Sequence, residues 1–290
     1  MKPLQTGSHI FNWGSRTYIM GILNVTPDSF SGDGIITQGD AVQIAVRQAE
    51  EFLANGADIL DIGGESTRPG SQPVSVDEEL DRVIPVIEAI TKQFPEVLIS
   101  IDTYKAKVAE RAFKAGAHIL NDVWALRADP ELASVAAAFR VPVILMHNRS
   151  NPASVEVREQ LGHAYIGSEY QNLIEDVKRE LLTSVDLAVK AGVEESLIIL
   201  DPGIGFGKTR EHNLELINRL DEIRSLGYPV LLGASRKSFI GFTLDLPADQ
   251  RMEGTAATVA IGIARGADIV RVHDVKEMVR VAKMTDAIVR

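Results

Sequence analysis

The sequence contains no cysteine, which removes disulfide bridges, thiolate zinc sites and cysteine nucleophiles together. It has no apolar run near the roughly 18 residues that a membrane span needs. Basic residues are in short supply: 30 Lys and Arg stand against 40 Asp and Glu, for a formal net charge of -10. That balance argues against nucleic acid as the main partner, although a few local cations suffice to bind a small anion. The segment from Met1 to Gly7 lacks the charged-then-apolar order of a secretory signal. These absences together point to a cytoplasmic protein with neither membrane nor nucleic acid as partner. No linker-like or low-complexity stretch divides the 290 residues, and αβ barrels reach this length as one domain, so a single domain is expected.

What the chain does have is a repeated phrase. Asn55-Gly56-Ala57-Asp58-Ile59-Leu60-Asp61 is echoed by Ala115-Gly116-Ala117-His118-Ile119-Leu120-Asn121 and by Arg265-Gly266-Ala267-Asp268-Ile269-Val270-Arg271. Each time a glycine closes a helix and a short apolar strand begins, apolar on consecutive residues as in a parallel sheet covered by helices. Eight such strands are expected, at 18–23, 58–62, 97–101, 118–120, 141–146, 197–200, 230–232 and 268–272, with helical patterns between them. Eight βα units predict a TIM (β/α)8 barrel; a doubly wound open sheet is the alternative. Ahead of the first strand, alternation around Asn12 to Arg16 predicts a β-hairpin that plugs one end of the domain. A helix is expected over 40–55. Another, over 77–94, opens with a capping box at Ser75 and Glu78 and carries Pro85. The longest is expected over 167–191.

Barrel enzymes place their chemistry at the C-terminal ends of the strands. Those positions here are Asn24, Asp61, Asp102, Asn121 with Asp122, His147, Asp201, the run Ser235-Arg236-Lys237-Ser238, and Arg271 with His273. One polar residue at a strand end only marks the exit to solvent, but eight in succession suggest a shared rim. Asp102, Asn121, Asp201 and Lys237 combine acceptors and donors in a way that suits the edge of a planar heterocycle bearing amino, ring N–H and carbonyl groups. Val123, Met146 and Phe206 supply apolar walls. Arg271 and His273 lie two apart on a strand and share a face. Loops after the seventh and eighth strands are the usual phosphate site of this fold, so the pair suggests a phosphorylated ligand, or else an arginine paired with a neighbouring carboxylate. The first strand runs into Asn24-Val25-Thr26-Pro27-Asp28-Ser29-Phe30-Ser31-Gly32-Asp33-Gly34, too polar for packing alone. There Phe30 reads either as a lid over an aromatic ligand or as a core residue. Gly203-Ile204-Gly205-Phe206-Gly207-Lys208-Thr209 misses the nucleotide P-loop spacing and reads as a turn that lets a flat ligand approach the backbone beside Asp201. His118 begins a strand and reads as structural. The histidines lack the spacing of a zinc site. A two-carboxylate glycosidase leaves the cations unexplained.

With these motifs in place, the chain resembles the dihydropteroate synthases from about residue 17 onward. Asn24-Val25-Thr26-Pro27-Asp28-Ser29-Phe30-Ser31 is similar to that family's first signature loop. Asp61-Ile62-Gly63-Gly64-Glu65-Ser66-Thr67-Arg68-Pro69-Gly70 is similar to its second. Asp201-Pro202-Gly203-Ile204-Gly205-Phe206 and Ser235-Arg236-Lys237-Ser238 complete the set. Where the family has Asp-Gly-Gly after the first loop's serine, this chain has Gly32-Asp33-Gly34. The resemblance implies condensation of 6-hydroxymethyl-7,8-dihydropterin diphosphate with 4-aminobenzoate, giving 7,8-dihydropteroate and diphosphate. It implies Asp102, Asn121, Val123, Met146, Asp201, Phe206 and Lys237 around the pterin. It puts Asn24, Arg271 and His273 on the diphosphate, with Asn24 beside a magnesium ion (Mg2+), and Phe30, Thr67, Arg68, Pro69, Lys237 and Ser238 around the aminobenzoate. Asp102, Lys237 and Arg271 are the implied catalytic groups. A homodimer is implied as well. Two alternatives share the pocket: a pterin-dependent methyltransferase domain, which does without the aminobenzoate loops, and a non-catalytic pterin-binding module, which does without the diphosphate contacts.

Overall fold

The chain opens with an antiparallel pair, β1 (Leu4–Thr6) and β2 (His9–Phe11). The turn between them uses Gly7, whose φ of +56° lies in the left-handed region. The expected hairpin around Asn12 to Arg16 is therefore displaced. That stretch is a turn in which Ser15 N–H donates to Asn12 O, and it hands the chain on to the barrel rather than back onto itself. The expected plug is present: Leu4 and Phe11 are buried against one residue or two from every barrel strand.

The computed structural model describes residues 1–26, 38–66, 72–150, 152 and 169–290. Within them, β3 (Tyr18–Asn24), α1 (Gln38–Ala54), β4 (Ile59–Gly63), α2 (Val76–Gln93), β5 (Leu98–Asp102), α3 (Ala106–Ala115), β6 (Ile119–Asp122), α4 (Leu132–Phe139) and β7 (Val143–Met146) follow in alternation. Then come α5 (Leu173–Lys190), β8 (Ile198–Asp201), α6 (Arg210–Asn218), α7 (Leu220–Arg224), β9 (Leu231–Leu232), α8 (Ser238–Leu244), α9 (Met252–Ala264), β10 (Ile269–Val272) and α10 (Val275–Val289). The strands pair in parallel in the order β8-β7-β6-β5-β4-β3-β10-β9, and a bridge between Leu200 and Val230 brings the two edges together. This is the expected (β/α)8 barrel, not an open sheet.

Successive strand residues point to opposite faces, and that alternation sorts the chain into layers. Ile19, Leu60, Ile99, Leu120, Val143, Leu145, Leu200, Leu232 and Val270 face outward into the main core beneath the helices. Met20, Ile59, Leu98, Ile119, Ile144, Ile199, Leu231 and Ile269 face inward and close the barrel above the hairpin plug. One inward step further, Asp61, Ser100, Asn121, Asp201 and Arg271 stand on five of the eight strands, with Ile22 and Met146 on two others and Gly233 just past β9, so the barrel interior turns largely polar toward its C-terminal end.

The helices show how local signals set their ends. Ser75 caps α2 by accepting from Glu78 N–H, but only half of the expected capping box forms, because the Glu78 carboxylate turns to Arg82 instead. The helix continues past Pro85. The described part of the long predicted helix starts at Leu173, where Asn172 accepts from Glu175 N–H; at 18 residues it equals α2 rather than exceeding it.

Candidate active site

The polar layer is held together by charge. Arg271 donates from Nε to Asp61 Oδ2 at 2.6 Å and from Nη2 to Asp102 Oδ2 at 2.7 Å. Asn121 Nδ2 donates to Asp61 Oδ2 at 3.2 Å, and Asp61 has no solvent exposure. The strand register brings these groups to neighbouring levels: Asp61 pairs with Ser100, and Asn121 pairs with Asp102. Burial, opposed by Arg271 and reinforced by the Asp61 charge, pushes the Asp102 carboxyl up from its ordinary range. Burial alone would weaken the Arg271 guanidinium, but the two carboxylates outweigh it and hold the proton more firmly. Both sequence readings of Arg271 thus meet: it points into the barrel mouth, and it is ion-paired there.

Across the mouth, Asp201 Oδ1 accepts from Gly203 N–H at 2.7 Å. Burial raises its carboxyl, while Lys237 and that N–H pull it down. Lys237, at the N-cap of α8, donates from Nζ to Ile204 O and lies 4.6 Å above the Phe206 ring. Burial lowers its ammonium to about 8, against the pull of Asp201. A side chain at Gly233 would fall 3.8 Å from Asp201 Oδ2 and 4.0 Å from Lys237 Nζ, so this glycine leaves open the space between donor and acceptor. Val123, Met146 and Phe206 belong to one apolar cluster with Trp124, Ala128 and Tyr104. The expected walls are therefore one surface, and Trp124 and Tyr104 extend it.

His273 continues the inward face of β10 beyond Arg271. Its backbone N–H donates to Ser235 Oγ at 3.2 Å, and its Nδ1 lies 3.0 Å from the same hydroxyl. β10 pairs with β3, so Asn24, the last residue of β3, stands on the strand next to His273. Ser238 is the first residue of α8. Phe30, Thr67, Arg68 and Pro69 lie outside the described residues, as do residues 27–31 of the first signature loop and 67–70 of the second.

Two of the expected strand-end residues leave the rim. Asp122 is one step out of phase with Asn121, and its carboxylate accepts from Trp124 N–H at 2.8 Å and Leu126 N–H at 2.5 Å, which folds the turn that presents Val123. His147 is out of phase with Met146 and sits 3.1 Å from Glu180 of α5. Sequence reasoning in turn missed the partner role of Asp61, whose signal was its inward phase. It also missed a cluster behind the second signature loop, where Lys105 binds Glu65, Glu79 and the carbonyl of Val74 and so ties together the two ends of that loop. No periodic pattern marks Lys105.

Among the described residues no group of three or more histidine, aspartate or glutamate side chains is placed to hold a metal. Asn24 offers a half-buried amide oxygen at the mouth. Magnesium commonly takes one or two protein ligands and fills its shell with phosphate oxygens and water, so this donor fits an ion that arrives with a diphosphate.

Residues 20–273 match the family described as pterin binding enzyme. The dihydropteroate synthase of Clostridium beijerinckii is 53% identical over 288 residues, covering 99% of this chain and 100% of that one. Among solved structures, a dihydropteroate synthase from Clostridium difficile, crystallised in the presence of pteroic acid, superposes with a TM-score of 0.86 at 49% identity, covering 97% of this chain and 99% of its own. The Xanthomonas albilineans enzyme with 4-aminobenzoic acid has a TM-score of 0.85 at 40% identity, covering 97% and 94%.

Proposed function

The chain belongs to the dihydropteroate synthases within the pterin-binding enzymes, and from that premise we propose how its residues carry out the condensation. The observation that carries the reading is the mouth of the barrel itself. An acceptor, Asp201, and a donor, Lys237, face each other across an open gap over an apolar wall, and a cation, Arg271, stands on the strand that leads to His273. The pterin lies flat on Val123, Met146 and Phe206. Its amino and ring N–H groups donate to Asp201, Lys237 donates to its carbonyl or ring nitrogen, and Asp102 and Asn121 take the opposite edge.

Asp102 accepts from Arg271 Nη2. A pterin bonded to Asp102 competes for that carboxylate and releases the N–H toward the diphosphate. Asp61, buried and bonded through Nε, keeps the guanidinium aimed while this happens. The C–O bond between the pterin methylene and the diphosphate breaks, the arylamine nitrogen forms the new C–N bond, and its proton leaves to solvent. Neutral at pH 7, the arylamine needs no strong base. Arg271 and His273 offset charge on the departing diphosphate, while Asp102 steadies positive character on the ring. Magnesium at Asn24, when bound, neutralises further phosphate charge. Phe30, Thr67, Arg68 and Pro69, with Lys237 and Ser238, form the aminobenzoate side, which separates this reading from a methyltransferase.

The same proposal includes a homodimer. Phe242 on α8, Ile261 on α9 and Ile288 on α10 are 70%, 49% and 70% exposed and are the apolar side chains this reading gives to the dimer face. Light scattering is expected to give twice the chain mass of 31.6 kDa. A cytoplasmic location completes the reading. The decisive assay mixes the protein with pterin diphosphate, 4-aminobenzoate and magnesium. Diphosphate and dihydropteroate are expected in equal amounts, and absence of both would overturn the assignment.

A further inference from the structure

Behind the pocket wall, on the half-buried side chain of Lys208, lies an amine that the chemistry above does not use. Lys208 Nζ has three acceptors: His147 Nδ1 at 2.9 Å, Gly203 O at 2.9 Å and Phe206 O at 3.1 Å. An ammonium has three N–H donors and no acceptor, so each hydrogen has one partner. Burial lowers the Lys208 ammonium to about 7, against the pull of Asp201; with Lys208 as the donor, the imidazole is neutral with its lone pair on Nδ1 and its proton on Nε2, directed at Glu180 Oε2. Burial, with the adjacent Lys208 charge, pushes His147 down to about 3, in keeping with that tautomer. Glu180 in turn accepts from Arg149, whose guanidinium stacks 4.2 Å from the Tyr170 ring centroid, and Tyr170 donates to Gly207 O at 3.1 Å. The knot grips the 203–207 turn at three carbonyls and ties it to β7 and α5.

The turn fits against this knot without slack. A side chain at Gly203 would place its Cβ 1.8 Å from His147 O, and one at Gly207 would meet the Arg149 backbone at 2.3 Å. On its other side the same turn makes the pocket. Gly203 N–H binds Asp201, Ile204 O accepts from Lys237, and the Phe206 ring lies under the Lys237 ammonium. The contacts of this turn with Asp201 and Lys237 thus run through backbone that Lys208 holds at Gly203 and Phe206 and that Asn213 holds at Gly205 N–H, 2.7 Å away.

We propose that Lys208 is a positioning residue of the pterin pocket: its side chain locks the 203–207 turn from behind so that Asp201, Phe206 and Lys237 stand ready for the heterocycle. It rests on the pterin assignment given under Proposed function. The turn touches the pterin groups and not the β10 or β3 residues assigned to diphosphate, and it reaches the aminobenzoate side only through Lys237.

The test is titration calorimetry with 6-hydroxymethylpterin, alongside steady-state kinetics. Lys208→Met keeps the length of the side chain and removes the donors. It is expected to weaken pterin binding and raise KM for the pterin diphosphate by roughly tenfold to a hundredfold, the scale of a small misplacement of a pocket group. At saturating pterin diphosphate, KM for the aminobenzoate is expected to rise less than KM for the pterin diphosphate, since only Lys237 is shared between the two sides. Because the wild type has no cysteine, Lys208→Cys can be aminoethylated under denaturing conditions and refolded, which restores an ammonium at nearly the lysine length. That product is expected to regain most of the pterin affinity that unmodified Lys208→Cys lacks, whether or not Lys208→Met folds. Pterin affinity unchanged in Lys208→Met, or a lower melting temperature with unchanged affinity, would overturn the proposal while leaving the pterin assignment standing. So would an aminoethylated protein no better than the unmodified variant. A wild type that binds no pterin would instead overturn the assignment and the proposal with it.

Discussion

Asp201→Asn changes one oxygen for an NH2 in a buried carboxylate, and its consequences separate binding from stability. In the wild type, one oxygen accepts from Gly203 N–H at 2.7 Å, and the other faces the space left open by Gly233. The variant keeps its carbonyl on the Gly203 N–H, which leaves the amide NH2 turned toward the amino and ring N–H groups of the pterin. Donor then meets donor, and a charge-assisted contact is lost as well. An unpaired buried polar group costs about 1–3 kcal/mol, with charged groups costing more, so a total near 2–4 kcal/mol is reasonable, which is roughly 30- to 800-fold in Kd. Stability should move little, because burial already disfavours this carboxylate and the neutral amide escapes that penalty while Lys237 loses a counter-charge. Calorimetry with 6-hydroxymethylpterin measures the first quantity, and thermal melting without ligand measures the second. Pterin affinity close to wild type would remove Asp201 from the site. A large loss of stability with a matching loss of affinity would mean that the carboxylate holds the barrel mouth rather than the ligand.

The remaining expectations concern charge. Lys237 must be an ammonium to donate to the pterin, and burial lowers it to about 8, so kcat/KM for the pterin diphosphate is expected to fall as pH rises through about 8 in the free enzyme; a profile flat to pH 10 would count against that role. His273→Ala should weaken diphosphate binding more than binding of a pterin without diphosphate, and equal losses by calorimetry would make this histidine a structural residue. Arg271→Ala should do the same and, by leaving the buried Asp61 without its cation, also destabilise the fold by about 3–5 kcal/mol, read from urea unfolding. Chelation of magnesium, or Asn24→Ala at limiting magnesium, is expected to suppress turnover and leave pterin binding intact; a parallel loss of pterin affinity would place the metal elsewhere.

What the sequence made legible and what it did not divide along a physical line. Strand periodicity is local and survives folding, so Asp102, Asn121, Asp201 and Arg271 could be placed at strand ends and on an inward face from the order of residues alone. The same alternation, applied strictly, would have removed Asp122 and His147 from the rim, since each directly follows an inward residue. The hairpin was misplaced because two true turns lie close together. The choice between them rests on which flanking apolar residues, Leu4 and Phe11, reach the barrel floor, and that is a tertiary outcome. Contacts across the chain left no local trace. Lys208 meets His147 across 61 positions, and Arg271 meets Asp61 across 210. In Gly207-Lys208-Thr209 the lysine looks like half of a failed nucleotide motif, and only the barrel shows that the glycines admit backbone to backbone while the lysine pins the result. A short Gly-Lys motif can thus serve the interior of a loop as well as a phosphate, and the two uses differ in where the amine ends up. In a phosphate loop it must reach the ligand; here three protein acceptors already surround it.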